Sequence, residues 1–430
     1  MRVGEFHPET LRYMREVDLE YRRRLGQFFT PRSLREELLS KLPRLSKPRV
    51  LDPACGTGEF LLSAREYFVE PELYCWEVDP GLAERAKRVA PEARVEVVDS
   101  LTKPFREEFD VVVGNPPYFE FEPSGDVRAR YREVIWGRVN IYALFVYLGL
   151  RVLKPGGYLA YVVSSSMNNG AYFRKLREFI VRTADIVYLR VLEDSCAFDF
   201  VNHTFQLLVL RKVASTGRYV FRRGGVLIFS EGADELRRLF EGSATLRELG
   251  YRVQTGKVVW NQNRDKLVDS PKDGILLVWA HNIRDGKLVL GNHSGKPQYI
   301  RWSPEKADRG PAVVVTRVVG HPKRARIEAA LVPPGTVFVA ENHVNVIYPP
   351  RGATLEEMEE IVRQLNSPEA QKVVSLITGN TQISRNELEK LIPIRLPSRK
   401  TNLLQFPFIK DVKTGGSNTL KNILPVKHNS

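Results

Sequence analysis

A chain of 430 residues exceeds one ordinary hydrophobic core, so two or more domains are expected, and with 43% hydrophobic residues but no apolar run near the ~18 residues of a membrane span, a membrane role is excluded. The formal charge of +14 is uneven: residues 245–430 carry 28 Lys and Arg against 17 Asp and Glu, whereas residues 1–244 carry 37 against 34, as expected of a C-terminal part that meets a polyanion. Met1 to Glu5 lack the apolar segment of a secretory signal, and Cys55, Cys75 and Cys196 show neither paired nor metal-ligand spacing, which together point to a reducing cytoplasm and to no metal.

An Arg-rich helix is predicted over residues 8–25, ended by Gly26. Gln-Phe-Phe-Thr-Pro follows at 27–31; Thr30 reads as an N-cap and Pro31 as the first residue of a helix running to about Leu42, with Leu34, Leu38 and Leu42 on one face. A short strand at 49–51 enters Asp-Pro-Ala-Cys-Gly-Thr-Gly (52–58), and a helix follows at 61–68. Two glycines directly between a strand and a helix allow a ligand to approach the backbone closely. The longer dinucleotide fingerprint and the P-loop are both absent, because Leu61 stands at the third glycine position and no Gly-Lys-Ser/Thr follows. A second strand ends in Glu77, about 20 residues past the glycines, where the ribose-binding carboxylate of such folds is expected. A third strand ends at Asp99, and a fourth, 109–113, delivers Gly-Asn-Pro-Pro-Tyr. The order is that of a doubly wound α/β sheet, with a glycine loop, an acid or a polar turn at each carboxyl edge.

At 115–118, Asn115, Pro116, Pro117 and Tyr118 form a stiff turn, because neither proline can continue a regular element. The Asn side-chain oxygen and the Pro116 carbonyl are two adjacent acceptors, which match the two N–H donors of an exocyclic amino group. The Tyr118 ring offers a flat face for a planar base. Read alone, the turn could equally be structural; the features before it favour the site.

Gln-Phe-Phe-Thr-Pro (27–31), then Asp-Pro-Ala-Cys-Gly-Thr-Gly (52–58), then Asn-Pro-Pro-Tyr (115–118), then a large C-terminal region, resembles the γ class of S-adenosylmethionine-dependent N6-adenine DNA methyltransferases of restriction–modification systems. The resemblance covers about residues 25–212 and implies a Rossmann-like methyltransferase domain. It implies that Phe29, Thr30 and Pro31 border the methionine part of the cofactor S-adenosylmethionine, that Asp52, Ala54 and Gly56 hold its amino-acid end, and that Gly58 and Asn115 also belong to the cofactor site. It places Glu77 on the ribose and Asp99 on the adenine of the cofactor. Asn115 and Pro116 would hold the target amino group, Tyr118 would stack on a flipped base, and Phe198 (or Phe200) would close its other face. It also implies double-stranded DNA as partner, a cognate endonuclease acting separately, and action as a monomer. Methyltransferases of RNA or of a protein glutamine share the Asn-Pro-Pro-Tyr loop and are the alternative.

Downstream, helices are predicted at 141–150, with Tyr142, Phe145 and Leu148 inward, and at 173–181; Lys-Pro-Gly-Gly (154–157) reads as a turn into the strand 158–163. From about residue 245 short strands and turns prevail, including 257–260 and 275–279, and an acidic helix at 356–365 is expected to face solvent. Trp260, Asn261, Gln262, Asn263 and Arg264 are dense in side chains that read base edges, and Arg317, Lys323 and Arg324 suit phosphates. The expected organisation is a catalytic domain at 1–244, a mixed α+β target-recognition domain at 245–397, and a tail at 398–430.

Overall fold

The computed structural model describes residues 4–192, 204–291, 295–318, 325–377 and 382–396. Phe198 and Phe200, Lys323 and Arg324, and the tail lie outside the described residues. The described chain up to residue 395 packs as one compact unit. No helix among the described residues is long and apolar enough to cross a membrane.

Seven strands build the central sheet: β1 (Arg49–Asp52), β2 (Glu72–Glu77), β3 (Arg94–Val97), β4 (Phe109–Gly114), β5 (Leu153–Ser164), β6 (Asp185–Val191) and β7 (Phe205–Arg211). Their spatial order is β3-β2-β1-β4-β5-β7-β6. β1 to β5 run parallel, and β7 runs antiparallel to both β5 and β6. The order reverses between β1 and β4, which pair with Val50 opposite Val111 and Leu51 opposite Val112. The loops leaving these two strands therefore start side by side at the carboxyl edge, where open α/β sheets bind ligands.

Both faces of β1 and β4 are covered, so their residues run continuously apolar instead of alternating. Val50, Val111, Val113, Ala160 and Val162 pack under α3 (Arg32–Leu39), α4 (Glu59–Tyr67) and α5 (Pro80–Val89). Leu51, Val112, Tyr161 and Val163 pack under α7 (Ile141–Val152) and α8 (Arg174–Thr183). The short helix α6 (Gly125–Arg130) precedes them.

Several boundaries differ from the sequence expectations. The predicted helix 8–25 is two helices, α1 (Pro8–Glu16) and α2 (Leu19–Arg24), because the Asp18 side chain accepts from Glu20 N at 2.8 Å and Tyr21 N at 3.1 Å and restarts the helix. In α3 the N-cap position falls on Pro31, with no side-chain cap, and the helix stops at Leu39. α7 is buried on all sides except at Arg151, so its apolar residues do not define one inward face. Lys154 to Gly157 continue β5, as a register shift opposite Phe109 and Val111. Cys55 and Cys75 are joined as a disulfide with Cα atoms 5.6 Å apart; β1–β2 pairing brings them together, which their spacing of 20 residues did not announce.

Beyond α9 (Ala233–Leu239), β8 (Arg252–Thr255), β9 (Ile275–Val278), β10 (Ala312–Thr316), β11 (Ala329–Val332), β12 (Val337–Ala340) and β13 (Val344–Tyr348) form two further sheets. One is antiparallel, in the order β8-β13-β10-β11; the other centres on the parallel pair β9 and β12. Residues 257–260 are not a strand; Val258 makes a single bridge to Glu341. Three helices close the region: α10 (Leu355–Leu365), α11 (Pro368–Ile377) and α12 (Arg385–Lys390). α10 is amphipathic and buries Met358, Ile361, Val362 and Leu365 together with the acidic Glu357, so the helix faces solvent with only part of its surface. The chain then returns to the first sheet: Asn169 Nδ2 donates to the Ile377 carbonyl at 3.0 Å and to the Glu387 carboxylate.

Candidate active site

β1 ends in Asp52, which is buried and accepts from Ala54 N at 3.1 Å. Burial pushes the Asp52 carboxyl up to about 8, against the Ala54 hydrogen bond and with help from nearby Glu77. Glycine is required at 114, where φ is +151° and a Cβ would stand 2.8 Å from Asp52 Oδ1. Gly56 (φ +54°) and Gly58 (φ +89°) turn the chain into α4. Glu77, at the end of β2, accepts from Gly56 N at 2.8 Å and Asp79 N at 3.0 Å, so it pins the glycine loop. Burial raises its carboxyl above the usual range despite these bonds. Asp99 follows β3, is exposed, and accepts from Leu101 N at 2.9 Å. Asp52, Ala54, Gly56, Gly58, Glu77 and Asp99 thus gather along one rim.

The 26–31 segment closes over this loop. The Phe29 ring lies 3.6 Å from where a Gly56 Cβ would stand, and meets Tyr13 of α1 edge-on at 5.8 Å. The Thr10 and Thr57 hydroxyls bond at 2.7 Å, which ties α1 to the loop. Behind it, Arg35 and Glu59 form a buried ion pair. Thr30 Oγ1 is buried and has no partner among the described residues. A buried hydroxyl without a partner and a buried carboxyl without a cation among the described residues, beside a glycine loop open to the backbone, suit a polar ligand that carries an ammonium group.

On the β4 side, Asn115 Nδ2 donates to the Phe28 carbonyl at 2.7 Å. The Tyr118 hydroxyl donates to Asn115 Oδ1 and to the Val162 carbonyl at 2.5 Å. Among the described residues nothing donates to the Pro116 carbonyl. Pro117 packs near Gly26, whose positive φ (+66°) lets the 26–31 segment pass against the turn; a Cβ there would stand 2.6 Å from Tyr118 N and 3.2 Å from Pro117 Cβ. Tyr118 is half-buried, with Phe205 at 5.0 Å, Tyr142 at 5.7 Å and Phe28 at 6.3 Å between ring centroids. Asn115 and Asp52 therefore share one cleft, roofed by residues 26–31.

A family model described as Eco57I restriction-modification methylase matches residues 76–198, and one described as N-6 DNA Methylase matches residues 13–80. These matches make the chain similar to the N6-adenine DNA methyltransferases of restriction–modification systems. Similar proteins include modification methylase CviBIII of Paramecium bursaria Chlorella virus NC1A, 24% identical over 92% of this chain and 100% of that one. Type II methyltransferase M.CvrRI of Paramecium bursaria Chlorella virus XZ-6E is 27% identical over 66% of this chain and 75% of that one. Type II methyltransferase M.BsuBI of Bacillus subtilis is 24% identical over 89% of each.

In the C-terminal region of the methyltransferase, Asn261, Gln262 and Arg264 are exposed around a half-buried Trp260. Lys296 Nζ lies 4.3 Å and Arg264 Cζ 4.8 Å from the centre of the Trp260 ring. Asn263 is committed internally, donating to the Val259 carbonyl at 3.0 Å and accepting from Lys266 Nζ at 2.8 Å. Arg317 is half-buried and donates to the Asn342 carbonyl at 3.1 Å.

Two positioning residues had no sequence signal that set them apart. Gly26 read only as a helix end, and Arg177 read as one Arg among many. Arg177 is buried and donates to the carbonyls of Met167 and Gly170, each at 2.8 Å, which fixes the loop after β5.

Proposed function

We propose that this methyltransferase recognises a specific site in duplex DNA, extrudes an adenine, and transfers a methyl group from S-adenosylmethionine to its N6 amino group. The observation that carries this reading is the placement of Asn115 and Pro116, one strand away from Asp52 and its glycine loop, under the 26–31 segment.

Asp52 takes the cofactor's ammonium group, with Ala54, Gly56 and Gly58 leaving room for its amino-acid end. Phe29, Thr30 and Pro31 cover the methionine portion, Thr30 with a hydroxyl that has no partner among the described residues. Glu77 faces the ribose and Asp99 the adenine. When bound, the cofactor supplies an electrophilic methyl on a sulfonium. The Asn115 oxygen and the Pro116 carbonyl accept the two N–H bonds of the target amino group. That draws the nitrogen lone pair out of conjugation and aims it at the cleft, so catalysis is positioning and electrostatics. The nitrogen loses its proton after attack, so no strong base is needed. Pro117 stiffens the turn, and Tyr118, tethered through its hydroxyl, holds the base in place. Phe198 is the proposed cover of the other face.

Residues 245–397 serve target recognition, with Trp260, Asn261, Gln262 and Arg264 toward the bases and Lys323 and Arg324 on the phosphates; Asn263 and Arg317, bonded within the fold, support this surface and do not read bases. We place the enzyme in the cytoplasm, acting as a monomer beside a separate endonuclease. Transfer from labelled S-adenosylmethionine to unmethylated genomic DNA, followed by nucleoside analysis, tests the reading. N6-methyladenine in DNA supports it; label confined to RNA or protein overturns the substrate.

A further inference from the structure

We propose that Trp136, Tyr172, Arg174 and Lys175 form a ledge that grips the DNA strand flanking the extruded adenine. The proposal rests on the DNA methyltransferase reading above. The chain after β4 carries Trp136 and the chain after β5 carries Tyr172; β4 and β5 are parallel neighbours, so both segments leave the same edge as Asn115. Trp136 is 47% and Tyr172 49% exposed, large rings left in water beside a site whose other aromatics pack inward. Arg174 Cζ stands 4.6 Å and Lys175 Nζ 5.6 Å from the centre of the Trp136 ring. The edge of the Tyr172 ring meets Gly137 (φ +64°), where a Cβ would stand 2.7 Å from Cδ1 and 2.8 Å from Cε1.

The ledge is continuous with the base cleft. Phe173 stacks on Tyr142 at 5.2 Å, and Tyr142 is 5.7 Å from Tyr118. Arg177 holds the Gly170 carbonyl at 2.8 Å, so the segment bearing Tyr172 is seated on a buried guanidinium. The cations are only loosely engaged: Arg174 is 3.9 Å from Glu178, Lys175 donates to the Arg132 carbonyl at 3.3 Å, and neighbouring Arg138 is 3.5 Å from Glu120, all at the surface. Such pairs contribute little, and a phosphate displaces them readily. Extruding a base leaves its neighbours with unstacked faces, and alternating rings and cations are what an unpaired strand binds.

The test uses the full chain, with unmethylated plasmid DNA and S-adenosylmethionine as probes. Trp136→Ala is expected to raise KM for DNA about ten-fold, and Trp136→Phe to restore most of it. Arg174→Gln with Lys175→Gln should raise KM and lower the slope of log KM against log salt by about one for each phosphate no longer neutralised. Cofactor affinity by calorimetry should stay at the wild-type value. Unchanged KM and salt slope in variants of an enzyme that methylates DNA overturn the ledge alone. Loss of cofactor affinity in both variants also overturns it, in favour of a structural role. A wild type that binds cofactor and methylates no DNA overturns the underlying reading instead.

Discussion

The Tyr118 hydroxyl donates at once to the Asn115 side-chain oxygen and to the Val162 carbonyl of β5. One aromatic residue thus couples the amide meant for the target amino group to the strand behind it. Burial raises the Tyr118 hydroxyl well above its ordinary range, so it stays a donor at any working pH. Tyr118→Phe keeps the ring and removes both bonds. It should cost about 1–2 kcal/mol of stability and lower kcat with little change in KM for cofactor. Chemical unfolding and steady-state kinetics check this; a variant with wild-type kcat would show that the tether does not orient Asn115.

Asn115→Ala removes one of two acceptors for the amino group and leaves the glycine loop untouched. Methyl transfer should fall by about 10²-fold or more, as for loss of a donor in an oxyanion hole, while the cofactor dissociation constant changes little. Retained activity would refute the proposed acceptor pair.

Asp52, pushed up to about 8 by burial, gives a pH signature. The folded state binds a proton that the unfolded chain gives up near 3.8, so the stability of the cofactor-free protein should fall as pH rises between these values. A cofactor ammonium group favours the ionised carboxyl, so affinity should strengthen from pH 6 toward 8. Asp52→Asn should bind weakly and lose most of this dependence. Calorimetric titration at three pH values decides it; parallel profiles for both proteins would contradict the role.

Gly26→Ala drives a methyl group to 2.6 Å from Tyr118 N, at a φ of +66°. Gly156→Ala is the control, because its φ is +81° but nothing lies within 4 Å of its Cβ position. Both should lose about 1–2 kcal/mol from backbone strain. Only Gly26→Ala should also depress kcat, by shifting the Asn-Pro-Pro-Tyr turn. Equal kinetics in the two variants would mean that the close approach has no catalytic consequence.

Arg264→Ala and Gln262→Ala should relax sequence selectivity with cofactor affinity preserved, each true base interaction being worth about 1–3 kcal/mol of discrimination. Sequencing of methylated sites in total genomic DNA reads this directly. An unchanged site preference in both variants would move target recognition elsewhere.

The strands and helices around residues 49–114 were legible because each is a short apolar run closed by its own punctuation: Asp52 and two glycines, Glu77 before the Asp79 cap, Gly114 before two prolines. The conjunction of the 27–31, 52–58 and 115–118 motifs carried the chemistry and the family. These are local facts, and local sequence states them.

Other features depended on which distant residues meet. The sheet order, with β7 inserted antiparallel between β5 and β6, follows from packing of both faces and not from the order of elements. α7 looked one-sided but is buried all round, because a periodicity cannot tell how many neighbours a helix has. The pairing of Cys55 with Cys75, the passage of Gly26 against Tyr118, and the inward bond of the Tyr118 hydroxyl to Val162 join residues 20, 92 and 44 positions apart. Asn263 and Arg317 read as free polar groups, yet both are bonded to nearby backbone carbonyls. Residue types and spacing determined which chemistry this chain can perform. The tertiary structure decided which polar groups remain free to perform it, because hydrogen-bond partners are assigned only when the chain closes on itself.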